Sequence, residues 1–444
     1  MADREATRPR YQIEVSPQAT LVDEPVRIRL TGLIPGEAVT IRAATRDGAL
    51  KPWASHATFI ADAQGCVDAS SDKPVQGTYD EVDPVGLFWS MSAVDAKRPI
   101  FFTKTKATPL TITLTAVIRD SAVASCDLVR KFAAPGVTMT SLQEQGLIGT
   151  LCLPAEPGPH PAVIVLNGSD RGMHENAAAL LASRGYATLA LAYFGLEDLP
   201  GELVSIPLEY FERAIHWLQN HPAVMSEKIG VIGLSRGGEL ALLLGSMFPM
   251  LKAVIAGSPS SLVQSGIKNN MDFTVPSWTS HGEPLPHMVY KRTLLDNMSF
   301  MWGWLTRTPF SNKSVFIKGL QKRDMVEKTT IPVEKISGPV LLISGQDDQL
   351  WPSTQFCKLV MERLAGHAHP HPYIHLDYER AGHFLCFPYG LPSLPPLITL
   401  SPVAGLYIAF GGTVSANAAA ATDSWQKILA FLAESLPHSS ARSL

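Results

Sequence analysis

The chain has 444 residues, room for two or more domains, and a hydrophobic fraction of 46%, ordinary for a globular protein. Its net charge of −3 gives no reason to expect nucleic acid or an anionic membrane as a partner. The five cysteines show no C-x-x-C spacing and fit reduced thiols in a reducing compartment.

Residues 1–10 are charged and lack an apolar signal region, so a flexible N-terminus is expected. From Tyr11 to Pro135 the pattern is β. Val26-Arg27-Ile28-Arg29-Leu30, Val39-Thr40-Ile41-Arg42-Ala43 and Leu110-Thr111-Ile112-Thr113-Leu114-Thr115 alternate apolar with polar or charged residues. That period buries one face of each strand. Turns such as Ile34-Pro35-Gly36 and Arg46-Asp47-Gly48 separate the runs, and a small β-sandwich is expected. Its expected role is structural or substrate-shaping.

From Gly136 to Pro437 the pattern changes. A hairpin is expected over Gly146 to Leu153. Ala162 to Leu166 is then continuous and apolar, as in a fully buried strand. Asn167-Gly168-Ser169 follows, and then a helical pattern from Glu175 to Arg184. Ala187 to Leu191, a helix over Leu208 to Asn220, and strands at Ile229 to Ile232, Ala253 to Ala256, Val340 to Ser344 and near Tyr373 to Leu376 come next. A final helix is expected over Ser424 to Ser435, and residues 438–444 form a flexible tail. Buried strands alternating with helices imply a mostly parallel sheet with helices on both faces.

Gly233-Leu234-Ser235-Arg236-Gly237 joins the strand at Ile229 to Ile232 to a helical run from Gly238 to Met247. A serine hydroxyl reacts only when exposed beside a base and aimed at an electrophile. A sharp strand-to-helix turn flanked by glycines does this, so Ser235 is the candidate nucleophile. The plainer reading is a glycine-rich packing turn with serine as helix cap. The candidate oxyanion donors are the N–H of Arg236 and an N–H from the loop around Gly168.

Residues of about 261 to 330 fit neither pattern and are rich in Trp, Met and Phe. Plain core is one reading. A cap over the site is the other, with Met271, Trp278 and Trp302 as candidate walls for an apolar substrate chain.

A serine nucleophile needs a histidine base and a carboxylate to orient it, in the α/β-hydrolase order Ser, acid, His. Gly345-Gln346-Asp347-Asp348 follows the strand Val340 to Ser344. Asp348 matches the usual place of the acid; Asp347 suits the turn itself, and an Asp-rich surface turn is the plain alternative. Ala381-Gly382-His383 lies 35 residues after Asp348 and supplies the candidate base. His367, His369 and His371 are a rival cluster with metal-like spacing. Pro370 and Pro372 interrupt them, so no metal and no cofactor is expected.

Taken together, these residues resemble the acyl-CoA thioesterase/bile acid-CoA:amino acid N-acyltransferase family. The resemblance rests on Leu21-Val22-Asp23-Glu24-Pro25-Val26, Asp83-Pro84-Val85-Gly86-Leu87-Phe88-Trp89-Ser90 and Leu180 to Tyr193. Leu208-Glu209-Tyr210-Phe211-Glu212, Gly345-Gln346-Asp347-Asp348, Ala381-Gly382-His383 and Trp425 to Phe431 add to it. It implies an immunoglobulin-like β-sandwich before an α/β-hydrolase domain, and acyl-CoA thioesters as substrates. It carries nucleophile, acid and base to Ser235, Asp348 and His383. Thioesterase members of the family use serine where the bile acid conjugating member uses cysteine, so hydrolysis is expected here. An N-acyltransferase and a general carboxylesterase or amidase are the alternatives. Arg236-Gly237-Gly238-Glu239 is closer to bacterial-type relatives, and Asn167 to Gly172 replaces a glycine-rich loop. No run of about 18 apolar residues exists, so membrane insertion is not expected. Arg442-Ser443-Leu444 does not match a peroxisomal address, and a cytoplasmic location is expected. No oligomeric state follows from the sequence.

Overall fold

The computed structural model describes residues 11–269, 272–385, 391–392, 397–400 and 406–438. The end segments expected to be flexible lie outside the described residues, apart from His438.

The chain forms two compact units, the first built mainly from residues 11–104 and 108–132. It holds a three-stranded antiparallel sheet of Gln12–Ser16, Arg27–Thr31 and Val67–Asp68. A second sheet orders Ala19–Leu21, Ser121–Lys131, Leu110–Ile118, Ala38–Arg46, Pro52–Ile60 and Gln76–Gly77, with Ser92–Ala93 also paired to Pro52–Ile60. Along Ala38–Arg46, Val39, Ile41 and Ala43 are buried while Arg42 and Arg46 face water. That alternation gives the strand one wet face.

The second unit, built mainly from residues after Ala133, contains an eight-stranded sheet. We number its strands β1 (Thr138–Glu144), β2 (Leu147–Leu153), β3 (His160–Leu166), β4 (Ala187–Ala192), β5 (Val224–Leu234), β6 (Leu251–Gly257), β7 (Val340–Gly345) and β8 (Tyr373–Tyr378). The spatial order is β1-β2-β4-β3-β5-β6-β7-β8. Only β1 with β2 and β2 with β4 pair antiparallel. Every residue of β3, β4 and β7 is buried, which explains why apolar residues dominate them without alternation.

The helices of this unit are α1 (Glu175–Ala182), α2 (Glu209–Gln219), α3 (Arg236–Met247), α4 (Leu294–Thr306), α5 (Lys313–Leu320), α6 (Arg323–Thr329), α7 (Ser353–Gly366) and α8 (Val414–Ser435). On α2, Tyr210, Phe211, Ala214, Ile215 and Leu218 make one buried stripe. Two differences from expectation stand out. α8 starts at Val414, capped by Thr413 and running through Ala416 to Ala421, where helix propensity acts without apolar periodicity. α7, unanticipated, buries Phe356, Cys357, Val360 and Leu364 at helical spacing.

The insert between β6 and β7 carries α4 to α6 and short strands at Trp278–Ser280 and Glu283–Pro284. Its apolar residues divide sharply. Trp278, Met288 and Phe310 are buried, whereas Met298, Met301, Trp302 and Trp304 are exposed. The order in which strands are added reverses at β3, with β4 on one side and β5 on the other, and ligands in such open α/β sheets sit beyond the carboxyl ends of the strands near that point.

Candidate active site

Ser235 sits between β5 and α3 with φ 59° and ψ −118°. This is a left-handed position that a side chain adopts only under strain, and such strain gathers at functional turns. Close backbone packing holds the turn. A Cβ on Gly233 would lie 2.2 Å from the Gly237 carbonyl oxygen, and one on Gly237 would lie 2.3 Å from that of Asn167. Only glycine fits at either place.

His383 Nε2 lies 2.8 Å from Ser235 Oγ, and its Nδ1 lies 2.8 Å from Asp348 Oδ2. The carboxylate only accepts, so Nδ1 carries the proton and Nε2 presents its lone pair to the serine. The other Asp348 oxygen accepts the N–H groups of Leu350 (2.9 Å) and Trp351 (3.2 Å). All three side chains are buried. Asp347 does something else: it accepts from Gln349 Nε2 at 2.6 Å and from Gly412 N–H at 2.8 Å. Of the adjacent acids, Asp348 meets the histidine and Asp347 braces the loops.

The two loops nearly touch, since a Cβ on Gly345 would lie 2.3 Å from the carbonyl oxygens of both Ala381 and Gly382. Further braces have no sequence signature. Ser258 Oγ donates to the His383 carbonyl at 2.6 Å, and Trp351 Nε1 donates to the Ser258 carbonyl at 3.0 Å. The Trp351 ring stands edge-on to the imidazole with centroids 5.6 Å apart. Asn417 Oδ1 accepts the Gly382 N–H at 2.7 Å.

At the start of α3 the first N–H groups, beginning with Arg236, have no preceding-turn carbonyl to bond, and they lie at the positive end of the helix dipole. Gly168 is adjacent: a Cβ on it would lie 3.7 Å from Ser235 Cβ. Its N–H, however, donates to Asp170 Oδ1 at 3.0 Å. Asp170 also reaches His174 Nε2 at 3.1 Å.

The Arg236 side chain turns inward. It donates to Glu239 Oε2, Ser277 Oγ and, at 3.3 Å, the Gln264 carbonyl. The other Glu239 oxygen accepts from Gln264 N–H and Trp278 Nε1, each at 3.1 Å. Burial pushes the Glu239 carboxyl up to about 7, against the opposite pull of Arg236. This network belongs to the sheet's core and ties the insert to α3.

The three candidate substrate walls come out differently. Trp278 is fully buried against Tyr193 and Phe211, with its indole N–H bound to Glu239. It therefore supports α3 in place of facing a substrate. Trp302 is exposed on α4, and Met271 lies outside the described residues. His367, His369 and His371 lie between α7 and β8, where His369 Nε2 bonds the Gly338 carbonyl at 3.2 Å. Among the described residues no group of three or more His, Cys, Asp or Glu is placed to hold a metal, and Cys66, Cys126, Cys152 and Cys357 are free of disulfides.

Two family models match the chain. Residues 206–438 match the BAAT/acyl-CoA thioester hydrolase C-terminal model, and residues 23–144 match the acyl-CoA thioester hydrolase/BAAT N-terminal region. Acyl-coenzyme A thioesterase 1 of Homo sapiens is 33% identical over 92% of this chain and 93% of its own length. Mitochondrial acyl-coenzyme A thioesterase 2 of Mus musculus is 31% identical over 93% of this chain and 87% of its own. Acyl-coenzyme A amino acid N-acyltransferase 2 of Mus musculus is 33% identical over 97% of this chain and 99% of its own. With the hydrolase fold and its Ser–His–Asp arrangement already in place, these matches make the chain a member of the acyl-CoA thioester hydrolase/BAAT family, an enzyme acting on thioesters.

Proposed function

We propose that this enzyme hydrolyses acyl-CoA thioesters through Ser235, His383 and Asp348, by way of an acyl-serine intermediate. The observation that carries this reading is the unbroken hydrogen-bond chain Ser235–His383–Asp348, both links 2.8 Å long, at a strained strand-to-helix turn. His383 Nε2 takes the hydroxyl proton as Ser235 Oγ attacks the thioester carbonyl carbon. The carbonyl π electrons move onto oxygen, where the Arg236 N–H at the start of α3 stabilises the charge. When the carbonyl re-forms, the C–S bond breaks and the departing sulfur takes the proton from His383, so coenzyme A leaves as the thiol and the imidazole is neutral again. Water then loses a proton to His383 and attacks the ester. The tetrahedral species collapses to free acid, and Ser235 recovers its proton.

Transfer of the acyl group to an amine is the second reading, favoured by the full-length match to an N-acyltransferase. Product masses separate the two. With glycine or taurine present, hydrolysis still gives the free acid, whereas transfer gives the amide. Release of coenzyme A, followed with a thiol reagent across acyl chain lengths, should vanish in Ser235→Ala. No turnover on any chain length would sink both readings.

A further inference from the structure

Among the described residues, α4 packs through Phe300 on one side and leaves a broad apolar face exposed on the other. On α4, Leu294, Leu295, Met298, Met301, Trp302 and Leu305 recur at helical spacing and are each between 57% and 76% exposed. They form one stripe along 13 residues, too short to cross a bilayer. The charge around it is just as uneven. From Lys291 to Arg323 the sequence has seven basic residues and one acid, a local +6 in a chain of net −3. Lys291 and Arg292 precede the helix, and Arg307 follows it. Arg292 lies over the Phe300 ring at 5.0 Å, and Lys318 binds Asp296 at 2.6 Å, so both basic groups are held against α4.

We infer that α4 docks this enzyme on an anionic phospholipid surface. An apolar stripe with Trp, bordered by Lys and Arg, has the make-up of a helix that lies in the membrane interface. Basic residues beside such a stripe are drawn to acidic headgroups. Two other occupants fit less well. A symmetric pair of copies would set the basic residues at the ends of α4, Lys291, Arg292 and Arg307, against their like. A free acyl chain calls for a concave site, and α4 presents a convex ridge. The docking helix also lies near the chemistry. Phe300 of α4 packs on Phe310, in one apolar cluster with Phe410, whose ring centroid is 6.1 Å from that of His383. Docking would therefore bring the catalytic end of the sheet close to a lipid surface, where long-chain acyl thioesters partition. The net charge of the whole chain hides this patch.

Vesicle flotation of the full-length protein tests the inference, using phosphatidylcholine with and without phosphatidylserine. The protein should float with the anionic vesicles and at least about tenfold less with the neutral ones. Leu295→Ser/Met301→Ser/Leu305→Ser, at exposed positions, should lower binding by at least about tenfold with an unchanged melting temperature. Should that variant fold poorly, Arg307→Glu/Lys322→Glu should show the same loss. Ser235→Ala should float like the wild type, which separates docking from catalysis. Absence of flotation, or flotation undiminished in the variants, would overturn the inference. So would dimerisation that the triple variant abolishes without any vesicle binding, because the face would then join two copies.

Discussion

Neighbouring aspartates with separate tasks give the sharpest residue-scale contrast. Asp348 orients His383, while Asp347 ties the acid loop to Gly412 and Gln349. Asp348→Asn should lower kcat by about three to four orders of magnitude, because the imidazole loses its acceptor at Nδ1 and the correct tautomer with it. Asp347→Asn should change kcat by less than about tenfold and cost about 1 kcal/mol in denaturant unfolding. Equal effects from the two would contradict the division. The sequence singled out Ser235, Asp348 and His383, which the structure brings together, because each follows closely on a strand of the sheet, where local pattern is enough. It did not reveal Glu239, Ser277 or Gln264. Trp278 meets Glu239 across 39 residues of sequence, and no local pattern carries that contact.

At the scale of the element, the Ser235 turn and α3 depend on close approach and on a buried ion pair. Gly237→Ala would drive a methyl into the Asn167 carbonyl. It should cost about 1–3 kcal/mol and lower kcat, because the displaced loop also borders Ser235. The Arg236–Glu239 pair is sealed from water. Glu239→Ala would leave the guanidinium without its carboxylate and should destabilise by about 3–5 kcal/mol. The pair also has a pH signature. The folded-state pKa of Glu239 is raised, so its contribution is fully present below the unfolded carboxylate range and is lost as pH rises through about 7. Asp296 and Glu334 are shifted downward, and their contributions are lost as pH falls, so the wild-type profile mixes both signs. The comparison with Glu239→Gln isolates one of them. The stability of wild type relative to that variant should decline between pH 5 and pH 8, measured by urea unfolding. A flat difference would show that burial is not what governs this carboxyl.

Across the whole molecule, two grammars of periodicity correspond to two compact units, one with alternating strands and one with buried strands between helices. What the sequence concealed was which apolar residues stay wet. Between Met288 and Phe310 the run of Met, Phe and Trp has the composition of a core, yet Met288 is buried while Met301 and Trp302 are open. Composition reports how much apolar surface exists; only the packing of the insert on the Phe310–Ile408–Phe410 cluster decides which side is covered. The local charge was equally masked, because acids elsewhere offset the basic stretch around α4. Among the described residues no helix is long and apolar enough to cross a membrane, so any lipid contact by α4 is peripheral.

The central claim is that the acyl group passes through Ser235. Rapid quenching with a panel of acyl-CoA substrates, followed by peptide mass spectrometry, tests it most directly. The peptide holding Ser235 should gain the mass of the acyl group, scaling with chain length, and Ser235→Ala should show neither adduct nor turnover. Turnover that persists in Ser235→Ala, or an acyl adduct on another residue, would contradict the account.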